Sequence, residues 1–546
     1  MGEVKIYRDQ SSESLTMNQD FLAFWKGLWN QCPWATIFQS PDFVLTWFDC
    51  FPDYTPTIIT DWDGTSMTGL WILTEVNGKF AAPGFDLAEY QVWLSTPEHQ
   101  SAFIEAALQA FCKAFPKHSI YLKYIPNPTP LGVFEKSTFL KSRTVWRPYK
   151  QPLMLVDKAW LQEELKKKNR KEKINRLNRL GKLEFSKTID LETFKFQIDE
   201  MALQSDFRKG ALYNKTFFYD EPQRKEFLVR LFALGHVHVT MLSVDNTMIA
   251  SNAGIMNHQV VHLQGINSHS PFYSKHSPGI LHFLMLGVAL AEEGIPVFDL
   301  TPGGADGYKS ILANRQETAY EWWFGPSPFT FKTRTIESLK FKIKSRLEQK
   351  PVFGLDWQGF QEKIQTSRSN IKKWTRVLRA KPSYATHFLN EIKDEGPDLD
   401  AAGKLPSASS SAAISALKIE KNRIQDLFYW QQEKAGIPRN ELFLDCLNRI
   451  EFGQQMFTLT ESESLIGIAW FIPSDAKMHA QEARNQAPER PPIMLCSCYQ
   501  LGREKDTTAL LYEVLSQLPT DLQPKVRLQF SPKQKSLQAL ILRSQA

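Results

Sequence analysis

Residues 298–312, FDLTPGGADGYKSIL, gather side chains that could do chemistry. Asp299 brings a carboxylate, Tyr308 a phenol and Lys309 an ammonium, and Gly303, Gly304 and Gly307 let backbone come close to a ligand. The pattern approaches the phosphate loop of nucleotide triphosphatases, where Lys directly follows the last Gly so that N–H groups and ammonium converge on one phosphate chain. Here Tyr308 stands between Gly307 and Lys309, and only three residues separate Gly303 from Gly307. The spacing argues against a phosphate loop.

A second signal is Ser277-Pro278-Gly279 ahead of the apolar run ILHFLMLGVALA. Ser277 can cap a helix, Pro278 fits its first position, and Gly279 removes a side chain where a ligand would approach. Free N–H groups and the helix dipole would hold an anion there, although a capped helix without a ligand accounts for the same residues. Seven of the eleven histidines fall between His236 and His282, with no spacing that brings three or four ligands together, so no metal is expected. The basic run LKKKNRKEKINRLNRLGKL (165–183) carries Ile174, Leu177 and Leu180 on one side and Gly181 as a stop. It suits either a grip on a phosphorylated ligand or nucleic acid, or a plain charged helix.

The elements that must position these residues follow in a legible order. LEFSKTI predicts a strand, and LETFKFQIDEMALQSDF and EPQRKEFLVRLFALG predict helices. VHVTMLSVD and TMIASNAGIMN are strands joined at Asp245-Asn246, and QVVHLQGINS follows after Asn257-His258. Then come the helix from Ser277, the buried strand IPVFDL, a short helix over GADGYKSIL and the strand TAYEWWFG. Residues before Lys150 repeat this order loosely. There Asp86-Leu-Ala-Glu-Tyr90 is expected as a surface loop, with a place in a cleft between the halves as the alternative. At 546 residues the chain needs three or four domains, and a net charge of +6 is too mild to argue for nucleic acid. The six cysteines show no zinc spacing, the N-terminus has no signal-peptide core, and no run of eighteen apolar residues occurs. A soluble, cytoplasmic protein is expected.

This order, with an anion-binding turn between the fourth strand and the third helix, resembles the GNAT acyltransferase superfamily. The resemblance is strongest to the branch with the CelD-like cellulose-biosynthesis acetyltransferases and the FemAB peptidoglycan aminoacyltransferases. RKEKINRLNRLGKLEF, SPGILHFLML and FDLTPGGADGYKSILA carry it, across about 165–325. The turn after Ser277 has fewer glycines than the family's usual pyrophosphate signature. The implied fold is α/β (α+β): tandem GNAT-like domains with mixed, mostly antiparallel sheets and a linked C-terminal α/β module. The boundaries are an N-terminal half at 1–160, a catalytic half at 161–330, a basic helical extension at 331–393, a flexible linker at 394–415 and a degenerate GNAT-like module at 416–546.

The resemblance implies an N-acyltransferase that uses acetyl-CoA or another acyl-CoA and no metal, acting on an amine of a cell-envelope or exopolysaccharide precursor. Ser277, Gly279 and Ile280 would hold the pyrophosphate of coenzyme A. Asp299 would orient or deprotonate the amine, Tyr308 return a proton to the leaving thiolate, and Lys309 stabilise the oxyanion or pair with a phosphate or carboxylate. His262 and Gln264, alternate residues on one strand face, would touch substrate, and Asp206 and Arg208, in a loop between two helices, would meet the acceptor. No Cys or Ser stands beside a His-Asp pair, so the attack is expected to be direct. An aminoacyl-tRNA-dependent transferase and a non-catalytic scaffold of a polysaccharide synthesis complex are the alternatives. In the extension, Ile336, Leu339, Ile343 and Leu347 recur at helical spacing, as do Ile364, Ile371, Trp374 and Leu378. Two amphipathic helices docked on the main body are expected, with contact of residues 332–381 with the inner face of a membrane or a polysaccharide synthase as the alternative. In the tail Glu504 and Asp506 replace a Gly-rich turn and would repel phosphate, so that module is expected to be catalytically silent.

Overall fold

Asp245 and Asn246 take φ values of 45° and 65°, the left-handed pair that a tight hairpin turn needs. They join β9 (Val237–Val244) to β10 (Thr247–Met256), as the sequence predicts. Asn257 closes the next turn, its side-chain oxygen accepting the N–H groups of Gln259 and Val260, and β11 (Val260–His269) follows. The computed structural model describes residues 4–303, 307–349, 383–389, 398–400, 405, 417–476 and 491–543. These fall into two units, the first within 1–202, 221–268 and 276–357 and the second within 203–220, 269–275 and 358–546.

The other strands of the first unit are β1 (Lys5–Arg8), β2 (Pro56–Asp63), β3 (Ser66–Val76), β4 (Lys79–Ala81), β5 (Leu94–Ser95), β6 (Ile120–Ile125), β7 (Thr144–Leu155), β8 (Leu183–Thr188), β12 (Val297–Asp299) and β13 (Arg315–Phe324). They form one 13-stranded sheet, β1-β2-β3-β4-β6-β13-β7-β12-β11-β10-β9-β8, with β5 paired to β3. β7 closes the first half in sequence, yet it pairs with β12 of the second half, while β13 closes the second half and lies between β6 and β7. The two halves exchange their last strands. Apolar anchors hold the exchange. Trp322 of β13, 0% exposed, packs 6.1 Å from Trp71 and 6.5 Å from Trp93 in the first half. Met154 of β7 joins the second-half core with Leu161, Phe298 and Leu284. Each such burial stabilises the exchanged arrangement by roughly 1.5–3 kcal/mol.

The helix Ser327–Gln349 docks differently from expectation. Thr330 is buried, Arg334 donates to the Thr144 carbonyl at 2.9 Å, and Glu337 lies 3.2 Å from Arg147. Ile336 and Leu339, predicted to face the main body, are 42% and 58% exposed. Over residues 327–339 polar contacts, not the apolar spacing, select the docked face; the side chains of Ile343 and Leu347 lie outside those described. The second predicted helix of the extension lies outside the described residues.

The second unit holds a seven-stranded sheet, β15-β20-β19-β18-β17-β16 with β14 paired to β19. Its strands are β14 (Tyr384–Thr386), β15 (Asp398–Asp400), β16 (Leu417–Lys421), β17 (Gln455–Glu461), β18 (Ser464–Ile472), β19 (Ile493–Gln500) and β20 (Arg527–Gln529). Within the stretch expected as a linker, Asp398–Asp400 therefore pair with Arg527–Gln529. This unit also takes in residues 203–220 and 269–275, because Phe207 and Ala211 are buried in a core with Phe443 and Phe428. The expected mixed α/β architecture, mostly antiparallel with a second sheet, is present.

Gly265 in β11 has φ 134°, and a Cβ there would lie 2.0 Å from the Ala253 carbonyl oxygen. Gly265→Ala is expected to lower the unfolding free energy by roughly 1–3 kcal/mol in urea denaturation. An unchanged urea midpoint would count against the close approach of β10 and β11.

Candidate active site

β11 and β12 run parallel only briefly. Val260, Val261 and His262 pair with Val297, Phe298 and Asp299, after which β12 ends while β11 continues to His269. His262 and Asp299 sit where the pairing stops.

Asp299 is 2% exposed, and donors meet both oxygens of its carboxylate. Oδ2 accepts from the Tyr90 hydroxyl at 2.6 Å and from Gln151 Nε2 at 3.1 Å, and Oδ1 accepts the Thr301 N–H at 2.8 Å. These bonds offset the cost of burying the group. Burial, together with the Asp299 carboxylate, raises the Tyr90 phenol well above its ordinary range, so it remains a donor. His262 is 4% exposed, and its Nδ1 lies 3.3 Å from Asp299 Oδ2 without hydrogen-bond geometry. Its ring packs against Phe38 and Tyr90.

Little in the sequence marks Tyr90 as part of this network. The stretch from Asp86 to Tyr90, expected as a surface loop, buries Leu87, Ala88, Glu89 and Tyr90. Glu89 pairs with Lys123 at 2.8 Å, Asp86 pairs with Arg224, and Gln264 donates to the Asp86 carbonyl at 3.1 Å. Four polar or charged contacts in five residues explain why the segment is inside. Its mixed polar and apolar composition was the available signal. Gln264, on the strand that carries His262, thus touches protein backbone.

After Asp299 the chain turns through Thr301 in the left-handed region, with φ 66°. Lys309 fastens this turn. Its Nζ donates to the Thr301 carbonyl at 3.0 Å, the Thr301 hydroxyl at 3.1 Å and the Gly303 carbonyl at 3.0 Å. Burial lowers the ammonium to about 8, against a smaller opposing effect of Glu89 and Asp299. Gly303 and Gly307, with φ 81° and 88°, adopt conformations that favour glycine. Gly304 lies outside the described residues. Tyr308 opens the helix Tyr308–Leu312, 39% exposed, with its ring stacked 6.2 Å from Phe283.

The helix Pro278–Glu292 begins with Pro278 as expected, but Ser277 does not cap it. Ser277 is left-handed at φ 50°, and its Oγ accepts from Lys173 Nζ at 2.7 Å. Lys173 stands on the basic helix Lys168–Leu180, where Leu177 is buried and Leu180, predicted on the apolar side, is 55% exposed. The Ile280 N–H, predicted to face a phosphate, is directed at the Ser277 carbonyl at 3.2 Å. What gathers at this helix start is an ammonium, Gly279 and the positive end of the helix dipole.

Asp206 and Arg208 are not among these residues. They belong to the second unit and lie within the helix Leu191–Tyr213, not in a loop. There Asp206 accepts the Phe218 and Tyr219 N–H groups at 2.9 and 2.7 Å, and Arg208 lies 3.3 Å from Glu451. Burial raises Asp206 to about 6, against the two N–H bonds. Among the described residues no group of three or more His, Cys, Asp or Glu could hold a metal, and no helix is long and apolar enough to cross a membrane.

Residues 166–310, the span that supplies His262, the helix start and the Asp299–Lys309 turn, match the family model of the acetyltransferase (GNAT) domain. That match supports an acyltransferase activity for this span. No curated protein matches the chain. Among solved structures it is similar in outline to FemX, at 8% identity over 57% of this chain and 98% of that one, with a TM-score of 0.40. L-PGS from Bacillus licheniformis is similar at 10% identity over 57% and 94%, with a TM-score of 0.37. A tandem GNAT protein from the clavulanic acid biosynthesis pathway is similar at 13% identity over 60% and 100%, with a TM-score of 0.36.

The Lys309 ammonium gives a pH signature. Its folded-state value lies below its unfolded one, so between about pH 8 and the ordinary 10.5 the unfolded chain holds more protons and stability rises with pH. The unfolding free energy of the protein minus that of Lys309→Met is expected to rise by up to about 3 kcal/mol between pH 7.5 and 10.5. A flat difference in urea titrations at the two pH values would show that Lys309 is not buried as an ammonium.

Proposed function

We propose that the protein transfers an acyl group from an acyl-coenzyme A to an amine, with the donor's phosphates at the start of the helix Pro278–Glu292. The observation that supports this is the Lys173 ammonium, 2.7 Å from Ser277 Oγ at that helix start, inside the span that matches an acetyltransferase domain. A cation beside a helix N-terminus fits a phosphate in both charge and hydrogen-bond donors. Lys173, Ser277 and Gly279 would hold it, and the bound thioester would supply the activated acyl carbon. Tyr308, partly exposed at the end of the turn, is the phenol proposed to return a proton to the leaving sulfur. The acceptor class, an amine on a cell-envelope or exopolysaccharide precursor, follows from the resemblance to CelD-like and FemAB-like enzymes.

Calorimetric titration with coenzyme A and acetyl-coenzyme A tests the donor site. Micromolar binding is expected, weakened about tenfold by Lys173→Ala through loss of one charge-assisted contact, and further by Gly279→Asp, which sets a carboxylate against the phosphates. Absence of binding by the unmodified protein would sink the coenzyme A reading and direct the search to aminoacyl-tRNA.

A further inference from the structure

We propose that His262, oriented by Asp299, is the group that takes the proton from the incoming amine. This rests on the acyl-transfer reading above. His262 Nδ1 is buried, lacks a hydrogen-bond partner and lies 3.3 Å from Asp299 Oδ2. A buried ring nitrogen left unpaired is costly, and a small rotation of the ring would give it a carboxylate acceptor. The carboxylate cannot swing to meet the ring, because Tyr90 and Gln151 fix Oδ2 and the Thr301 N–H fixes Oδ1. With a proton on Nδ1, Nε2 keeps its lone pair and points to the opposite side of the ring, away from Asp299.

The place suits the task. His262 stands on β11 where pairing with β12 stops. The titratable groups against it are Asp299 from β12 and Tyr90 from the first half, while Phe38 covers the ring. Lys309 is bound to Thr301 and Gly303, and Glu89 is paired with Lys123, so neither replaces the Asp299 contact. In the step, the ammonium form of the acceptor gives one proton to Nε2, and the freed electron pair forms the N–C bond to the acyl carbon. The C–S bond breaks with its pair on sulfur, and the second N–H proton ends on that sulfur. His262 then releases its proton to solvent. One thioester and one ammonium give one amide, one thiol and one proton.

The test reads the ring directly. In the full chain labelled with 15N-histidine and assigned with His262→Gln, long-range 15N–1H correlation should show the neutral ring protonated on Nδ1. Asp299→Asn, which takes the carboxylate acceptor away, is expected to weaken that preference for Nδ1. A proton on Nε2 in the unmodified protein, or a preference for Nδ1 that Asp299→Asn leaves unchanged, overturns the proposal without reference to any acceptor. In turnover, followed as thiol release from acetyl-coenzyme A with glucosamine as the probe amine, His262→Gln should lower kcat about a hundredfold or more and remove the acid limb of the pH profile. Its Kd for acetyl-coenzyme A should stay within about threefold, as expected for a residue away from the phosphates. Unchanged kcat and pH profile in His262→Gln would also overturn it. Failure of the unmodified protein to bind acetyl-coenzyme A would instead strike the donor reading, and the state of the ring would still be read.

Discussion

A carboxylate at 2% exposure in the middle of a sheet must find hydrogen-bond donors, and Asp299 finds them in three parts of the chain. Tyr90 comes from the first half, Gln151 from the exchanged strand β7, and the Thr301 N–H from the turn that follows. Removing one partner of such a buried charge typically costs several kcal/mol, so each donor constrains the segment that carries it. Tyr90 can reach Asp299 only if its segment is buried. Burying the segment takes Glu89 inside, where Lys123 pairs with it, and brings Asp86 to Arg224. The strand exchange has a chemical consequence as well as an apolar one. Leu153 of β7 stands opposite Asp299, which sets Gln151 two residues along the same strand beside the carboxylate.

The turn after Asp299 obeys a related constraint. Thr301 holds a left-handed conformation that costs a non-glycine residue about 1–2 kcal/mol. Lys309 offsets it by donating to three oxygens of the turn. The ammonium thereby becomes part of the scaffold, fixing Asp299 at one end and Tyr308 at the other. The glycine-rich stretch with a following lysine, so close to a phosphate loop in sequence, is built here around its own carbonyl groups.

Local order was legible in the sequence because it depends on neighbours along the chain. Asp245-Asn246 specified a hairpin, Asn257 the next turn, and Pro278 a helix start. The partner of a strand is a different matter. The run RTVWRPYKQPLML reads as a strand but says nothing of β12, and Trp322 reads as a core residue whichever half receives it. For the same reason Asp299 and His262 could be chosen as chemical residues while Tyr90 and Gln151 could not. The position of Ser277 before Pro278 predicts a cap, but a lysine 104 residues earlier takes its hydroxyl. Asp206 and Arg208 are expected in a loop between two helices. The helix Leu191–Tyr213 continues through it because Phe207 and Ala211 have a core to enter.

The two parts of the candidate site answer opposite physical demands. A phosphate stays hydrated at little cost, so it is well met by a cation beside a helix N-terminus, as at Lys173 and the start of the helix Pro278–Glu292. A proton moved between nitrogen atoms is better handled where water is scarce and every charge has a fixed partner, since an effective dielectric below that of water strengthens each contact. The Asp299 network is of that kind: three donors, one adjacent imidazole, and a lysine already bound to carbonyls. On the proposed reading a single substrate would span both environments, with its charged end at the helix start and its reacting end at β12. The link between them is β11 and the helix Pro278–Glu292, packed in one core through Leu263, Leu284 and Phe298. A change in that core would therefore disturb the distance between donor and proton acceptor before it disturbed either group alone.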